Sequence, residues 1–280
     1  MKIVPLGADS LGTRSFALFI ETGDLKIIVD PSCALAPRRN NYPPSPLEIK
    51  KLNETYRKIR EHVKESDIVI ITHYHNDHFP FFDTDIFINK RLFIKDYKRD
   101  MNHMQIIRAK RFIEDLEKKA IKYFFADSKD FIFGKTKITF SGGLWHGKEK
   151  KQGKVIGFFL EEEEKFFYSS DTQGLWDLTL KDFLRGKRLD YFFLDGPSLY
   201  QSKKKDIEEF INDLSDFLKE NEKSKVIIDH HFIRDLSYKD YIKKFKEIFG
   251  ERILTCAMFS GEEDSPLESL RRKYYEGKNL

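Results

Sequence analysis

Within Thr72-His73-Tyr74-His75-Asn76-Asp77-His78, three of the chain's eight histidines and a carboxylate crowd into one short window. Imidazole and carboxylate are good ligands for zinc and related metals. A loop can turn alternate side chains toward two neighbouring ions, His73 and His75 toward one, Asp77 and His78 toward the other. One histidine in a polar strand-end loop would be unremarkable. A cluster of this density predicts a metal centre, with zinc expected and iron or manganese as alternatives. Neither set is complete, so further ligands must come from elsewhere. His146 lies in the glycine-rich Ser141-Gly142-Gly143-Leu144-Trp145-His146-Gly147, Asp171 in Ser169-Ser170-Asp171-Thr172, and His230 in Asp229-His230-His231. Taken singly, each is more often a surface or supporting residue. Taken together, each follows a strand-like run, and open α/β sheets build sites at the carboxyl ends of their strands. Local alternation does not choose between His230 and His231. His230 is preferred as the ligand, which leaves His231 on the substrate side as a candidate acid.

The chemistry follows from the number of ions. Two divalent ions about 3.5–4 Å apart can share a water and lower its pKa toward neutrality. Their charge also stabilises the oxyanion that develops at a phosphorus or carbonyl centre. Asp77 or Asp171 would orient the nucleophile. Metal-dependent ester hydrolysis is therefore the expected activity. The alternative is a metal-stabilised binding or regulatory scaffold, because ligand residues imply metal binding rather than turnover.

The elements that must position these residues alternate between strand and helix along the whole chain. Phe16 to Ile20 and Leu25 to Val29 read as a hairpin around Thr22-Gly23-Asp24, followed by a polar, proline-rich loop from Ala36 to Pro46. Ser45-Pro46-Leu47-Glu48 reads as an N-cap, a proline in the first turn and a capping-box glutamate. Ile49, Leu52, Tyr56, Ile59 and Val63 then continue one helical stripe. Asp67 to Ile71 is a β-branched strand that delivers the histidines, and Met101 to Ala120 is a second amphipathic helix beginning near His103. Strands are expected at 131–133, 137–140, 155–160, 165–169, 191–194, 225–228 and 252–256. Helices are expected at 206–219 and 238–249, with a last one opened by a second capping box, Ser265-Pro266-Leu267-Glu268. With no linker or short repeat, residues 1–280 read as a single α/β domain.

Composition narrows the classes. Hydrophobic content of 40% with charged content of 34% describes a soluble globular chain. A net charge of +4, with 50 basic residues interleaved among 46 acidic ones, does not indicate a nucleic-acid binder. Abundant charge together with 26 phenylalanines suits a heat-adapted protein. Cys33 and Cys256 make neither a disulfide framework nor a CxxC site. Met1-Lys2-Ile3-Val4-Pro5-Leu6-Gly7 has no apolar leader and no run approaches a membrane span, so a cytoplasmic protein without membrane partners is expected. Arg14, Arg38 and Arg39 lie in loops that could face the metals, and arginine forks suit phosphate or carboxylate. A small anionic substrate is the expected partner. Lys148 to Lys151 and Lys203 to Lys205 read as solvated loops, His62 as an exposed helix residue, and Asp195-Gly196-Pro197 as a strand-ending turn.

The order Asp30, His73-x-His75-x-Asp77-His78, His146, Asp171, His230 resembles the five-motif pattern of the metallo-β-lactamase superfamily. The resemblance implies a four-layer αββα sandwich. It also implies that His73, His75 and His146 bind one metal, that Asp77, His78 and His230 bind the other, and that Asp171 bridges both. Asp30 falls where the superfamily has a strand-end aspartate that supports the site from behind a ligand. More narrowly, Ser10-Leu11-Gly12-Thr13-Arg14-Ser15, the Asp30-Pro31 loop with Arg38-Arg39, and His230-His231 resemble an archaeal family of hydrolase-like proteins. Asp171 stands where the antibiotic-degrading enzymes with two zincs place cysteine, and a bridging carboxylate is similar instead to the thioesterase and phosphodiesterase branches. The short interval from Asp171 to His230 leaves no room for the inserted domain of RNA-processing members. His75 stands where the di-iron oxidoreductases of the superfamily carry a carboxylate, which makes redox chemistry the weaker alternative.

Overall fold

Two sheets, each stiffened by β-branched and aromatic runs, carry the architecture of the computed structural model, which describes residues 1–277. β1 (Lys2–Ala8), β2 (Phe16–Glu21), β3 (Lys26–Val29), β4 (Ile68–Ile71), β5 (Arg91–Ile94) and β6 (Lys122–Phe125) form a six-stranded sheet in chain order. Its first three strands pair antiparallel and the rest parallel. β7 (Asp130–Phe133) and β8 (Thr136–Phe140) begin the second sheet, and β9 (Leu144–Trp145) pairs with β10 (Lys154–Val155) as a small separate ribbon. β11 (Phe158–Glu161), β12 (Lys165–Tyr168), β13 (Tyr191–Asp195), β14 (Lys225–Asp229) and β15 (Ile253–Leu254) complete a seven-stranded sheet ordered β15-β14-β13-β12-β11-β8-β7. β12 to β15 are parallel.

Alternation along the strands divides their side chains between two cores. Ile27, Val29, Ile68 and Ile70 meet Ile138, Phe140, Phe158, Phe166 and Tyr168 between the sheets. The intervening Ile28, Val69 and Ile71 face outward, against Ile59 and Val63 of α1 (Pro46–Glu65) and Ala109, Phe112 and Leu116 of α2 (His103–Lys118). On the other side, Phe192, Leu194, Val226 and Ile228 are covered by α3 (Leu178–Leu184), α4 (Lys204–Glu220) and α5 (Tyr238–Phe249). Burial of both strand faces accounts for the near-continuous apolar runs of the parallel strands. The order helix, sheet, sheet, helix is the expected αββα sandwich. No described helix is long and apolar enough to cross a membrane.

The first capping box forms as expected: Ser45 Oγ accepts from Glu48 N–H at 3.3 Å and Glu48 Oε2 accepts from Ser45 N–H at 2.9 Å. The second does not. The last helix, after the short α6 (Cys256–Phe259), is α7 (Leu267–Tyr275), with Pro266 at the cap position and no side-chain cap. Glu268 turns away because both its carboxylate oxygens accept from Arg14, at 2.5 and 2.6 Å. A charge-assisted fork outweighs the local cap. Cys256, expected to end a strand, instead opens α6 after Thr255 caps it through Met258 N–H at 3.1 Å. His62 is half-buried, its ring 5.0 Å from that of Phe19 and its Nδ1 2.8 Å from Lys58 O.

Candidate metal centre

The strand ends that the sequence singled out meet at one place. β3 runs into Asp30, β4 into Thr72–His78, β12 into Ser169–Asp171 and β14 into Asp229–His230. Three of these strand-end residues are left-handed, Asp30 at φ +45°, Ser170 at φ +56° and His230 at φ +62°. That region costs a non-glycine residue energy and is concentrated at functional sites. A left-handed turn breaks the alternation of side chains, which is why alternation cannot choose between His230 and His231.

Asp171 is the focus. Its Oδ1 lies 3.1 Å from His78 Nε2, and its Oδ2 lies 3.5, 3.2 and 3.3 Å from the Nε2 atoms of His73, His146 and His230. His75 Nδ1 is 3.1 Å from His73 Nε2, and Asp77 Oδ2 is 3.8 Å from His230 Nε2. The donor atoms fall into four overlapping groups: His73, His75, His146 and Asp171; Asp77, His78 and His230; Asp30, His73 and His78; and Asp171, His230 and His231. His146 Nε2 and Asp171 Oδ1 are buried without a hydrogen-bond partner. Nitrogen and carboxylate donors crowded this closely, two of them without a hydrogen bond, fit divalent cations.

Three of the rings are aimed from behind. His78 Nδ1 is 2.8 Å from Asp30 Oδ2, and Asp30 itself accepts from Thr72 N–H at 2.8 Å, Thr72 Oγ1 at 2.7 Å and the Tyr168 hydroxyl at 2.9 Å. His230 Nδ1 lies 2.9 Å from Asp9 Oδ2 and 3.1 Å from Ser15 O, while His73 Nδ1 lies 3.1 Å from Thr72 Oγ1. Such partners hold the Nδ1 proton and leave Nε2 for a metal. Burial opposes the charged form of His78 and His230, but Asp171 raises both, His78 well above its ordinary value and His230 to about 10. Burial, reinforced by the neighbouring His78, lowers His73 to about 4, and burial also takes His75 well below its ordinary value. Burial alone would raise Asp171, yet the facing imidazoles of His78, His230 and His73 hold it well below the carboxylate range.

His231 stands beside this cluster. Its Nδ1 is 3.0 Å from Asp195 Oδ2 and its ring centroid is 5.6 Å from that of His146. Asp195 is more than a strand-ending turn: it is buried, accepting also from Gln173 N–H at 3.0 Å. Burial raises its carboxyl and lowers the His231 imidazole. Two further residues bear on the site without having been expected. Asp9 contacts His230, and buried Arg234 reaches Asp9, Asp77 and His230. Asp9 follows the short apolar run of β1 in Gly7-Ala8-Asp9-Ser10, a strand-end carboxylate of the kind already used at Asp30 and Asp171. Arg234 sits four residues beyond His230, and nothing in its local sequence marks it.

The three loop arginines have different placements. Arg14 is held by Glu268 as described, and Arg39 donates to the Arg234 carbonyl while lying 4.1 Å over the Tyr200 ring. Arg38 is exposed. The lysine loops are brought together instead: a cavity of about 400 Å3 beside His146 is lined by Lys148, Lys151, Lys203, Lys205, Gln173 and Trp176, among others. Lys148 is paired there with Asp206 at 2.9 Å and Glu209 at 2.6 Å.

Residues 12–79 match the metallo-β-lactamase superfamily. Over its whole length the chain is 36% identical to a UPF0282 protein of Methanocaldococcus jannaschii, covering 98% of that protein. It is likewise 36% identical to a UPF0282 protein of Sulfurisphaera tokodaii, covering 94% of it. The crystal structure of an isothiocyanate hydrolase from Delia radicum gut bacteria superposes with a TM-score of 0.55 at 16% identity, over 91% of this chain and 96% of that one. At that identity the likeness is one of fold alone.

Proposed function

Because the chain belongs to the metallo-β-lactamase superfamily, as one of its UPF0282 proteins, we propose that it is a metal-dependent hydrolase of small anionic esters, phosphodiesters or thioesters. The observation that carries the reading is the convergence of four imidazoles on the single carboxylate of Asp171. His73, His75 and His146 would hold one divalent ion, Asp77, His78 and His230 a second, and Asp171 both, with zinc the expected metal. Bound there, the ions supply Lewis acidity and a water made nucleophilic near neutral pH.

The chain's own residues do the rest. Asp30 and Asp9 fix the rings of His78 and His230 through their Nδ1 atoms, so that the ligand nitrogens keep their aim without reorganisation. Asp77 is partly open to solvent, as is His75, and water and substrate enter on that side. Asp77 and Asp171 orient the attacking water. His231, held through Nδ1 by Asp195 and kept neutral by burial, takes the proton released by the attacking water at its other ring nitrogen and passes it to the leaving group. In the cavity beside His146, Lys148 and Lys151 are paired with Asp206, Glu209 and Glu149, and Lys203 and Lys205 attract the anionic part of the substrate.

Metal content by mass spectrometry, on protein purified without added metal and again after supplementation and gel filtration, is the direct test. About two zinc or other divalent ions per chain are expected after supplementation, with His73→Ala losing the first. Asp77→Ala should reduce turnover of an ester found by screening by at least about 100-fold. Full activity in both variants would remove the mechanism. The substrate class has its own check. The double variant Lys203→Ala, Lys205→Ala should raise KM for an anionic ester by about five- to tenfold, with kcat kept and the difference shrinking as salt is added. An unchanged KM at low salt would move the anion site elsewhere.

A further inference from the structure

The two ligand groups differ in one respect that the donor atoms alone do not reveal. Among the described residues, no lysine or arginine nitrogen is in ion-pair or hydrogen-bond contact with His73, His75 or His146. The other group has a cation built into it. Arg234 is 4% exposed, and its Nη2 lies against the His230 ring, 3.1 Å from Nε2 and 3.3 Å from Nδ1, and 3.4 Å from Asp77 Oδ2. A second ion would need that Asp77 oxygen and would sit beside the guanidinium.

A guanidinium keeps its charge at any pH a protein survives, and it has hydrogens but no lone pair to offer a metal. It can therefore occupy the place of a cation but cannot share in binding one. Arg234 and a second ion would draw on the same oxygen of Asp77, and in a buried site their mutual repulsion is weakly screened. The side chain is also held in place from both ends. Its Nε donates to Asp9 Oδ1 at 3.1 Å, and its carbonyl accepts from Arg39, whose guanidinium is packed over the Tyr200 ring.

We propose that Arg234 is a resident counter-cation for the second ion: the group of His73, His75, His146 and Asp171 fills first and tightly, and the group of Asp77, His78 and His230 fills only when the guanidinium is displaced. The inference rests on the metal-centre reading above. It adds that the number of bound ions is set by an arginine of this chain as well as by metal supply.

Titration of the metal-stripped full-length protein with Zn2+ by calorimetry, repeated with Co2+ and its visible spectrum, tests it. The expected isotherm for the unaltered chain has one tight equivalent and a second at least about 100-fold weaker. Arg234→Met, which removes charge and hydrogen bonds, and Arg234→Gln, which removes charge but keeps donors, should each tighten the second equivalent by about tenfold or more. The first equivalent should stay within about twofold. Arg234→Lys should keep the gap. The glutamine variant guards against failure of the methionine variant to fold, which circular dichroism and a melting curve would reveal. Two equally tight equivalents in the unaltered chain, or a second equivalent weakened in both neutral variants, would overturn the proposal while leaving the metal centre intact. Failure of the unaltered chain to bind any ion would overturn both readings together.

Discussion

Asp171→Ala is expected to strip the centre of metal and to lower hydrolysis by at least about 1,000-fold. Among the described residues, no other member of the cluster pairs with as many of its imidazoles. One carboxylate meets His78 on Oδ1 and His73, His146 and His230 on Oδ2, at 3.1 to 3.5 Å. If it is shared as proposed, removing it would take a ligand from both groups, where His75→Ala would take one from one group. It also takes away the buried negative charge that four imidazoles face. Asp171→Asn separates the two effects, because it keeps the shape and one acceptor oxygen but loses the charge. The asparagine variant should retain one weakly held ion and fall between the unaltered chain and Asp171→Ala in activity. Metal analysis after gel filtration, read beside initial rates, decides the matter. Two ions per chain retained by Asp171→Ala would show that the carboxylate is not a ligand at all.

The groups that could be read in the sequence are those whose geometry is local. His73, His75, Asp77 and His78 share a loop, and the capping box of Ser45 and Glu48 spans one helical turn, so spacing alone reports on both. Strand ends carried the reading further, since His146, Asp171 and His230 each close a strand-like run and the sandwich brings such ends together. β1, β5 and β6 escaped notice for physical reasons. β1 is an edge strand interrupted by a register shift between Pro5 and Gly7, and the other two are four residues long with no turn signal of their own. What spacing could not report was the choice of partner across the fold. Glu268 has the local signature of a cap, yet Arg14, 254 residues away in sequence, takes its carboxylate. Arg234 finds Asp9 across 225 residues and Asp77 across 157. Asp195 reads as a turn until the fold sets His231 against it. The residues that cluster at the strand ends were therefore legible and the charges set against them were not.

The largest effect on stability is expected far from the ligands. Arg271 and Glu48 are both fully buried, with contacts of 3.1 and 3.0 Å from Nε and 2.7 Å from Nη2. Arg271 Nη1 also donates to Ala36 O at 3.0 Å and to Tyr42 O at 3.2 Å, so one side chain ties α7, α1 and the loop before α1 together. Arg271→Met should cost about 3–5 kcal/mol, because it leaves a buried carboxylate without its counter-charge and the Ala36 carbonyl without its donor. Glu48→Met should cost a similar amount by stranding the guanidinium and opening the capping box. The double variant should be less damaging than the two single costs added together, since neither charge is then left alone and apolar replacements of a buried pair are often tolerated. Chemical denaturation of the metal-free chain gives all three values. Strict additivity would mean that the two groups do not stabilise one another. The clamp also bears on the site. The loop it holds carries Arg39, which bonds the Arg234 carbonyl, and Tyr42, whose ring stacks 4.9 Å from that of Tyr275. If Arg234 guards the second ion, loosening this loop should tighten that ion in the double variant, by less than Arg234→Met does. A double variant that recovers stability and binds metal as the unaltered chain does would confine the clamp to folding and leave Asp9 as the anchor of Arg234.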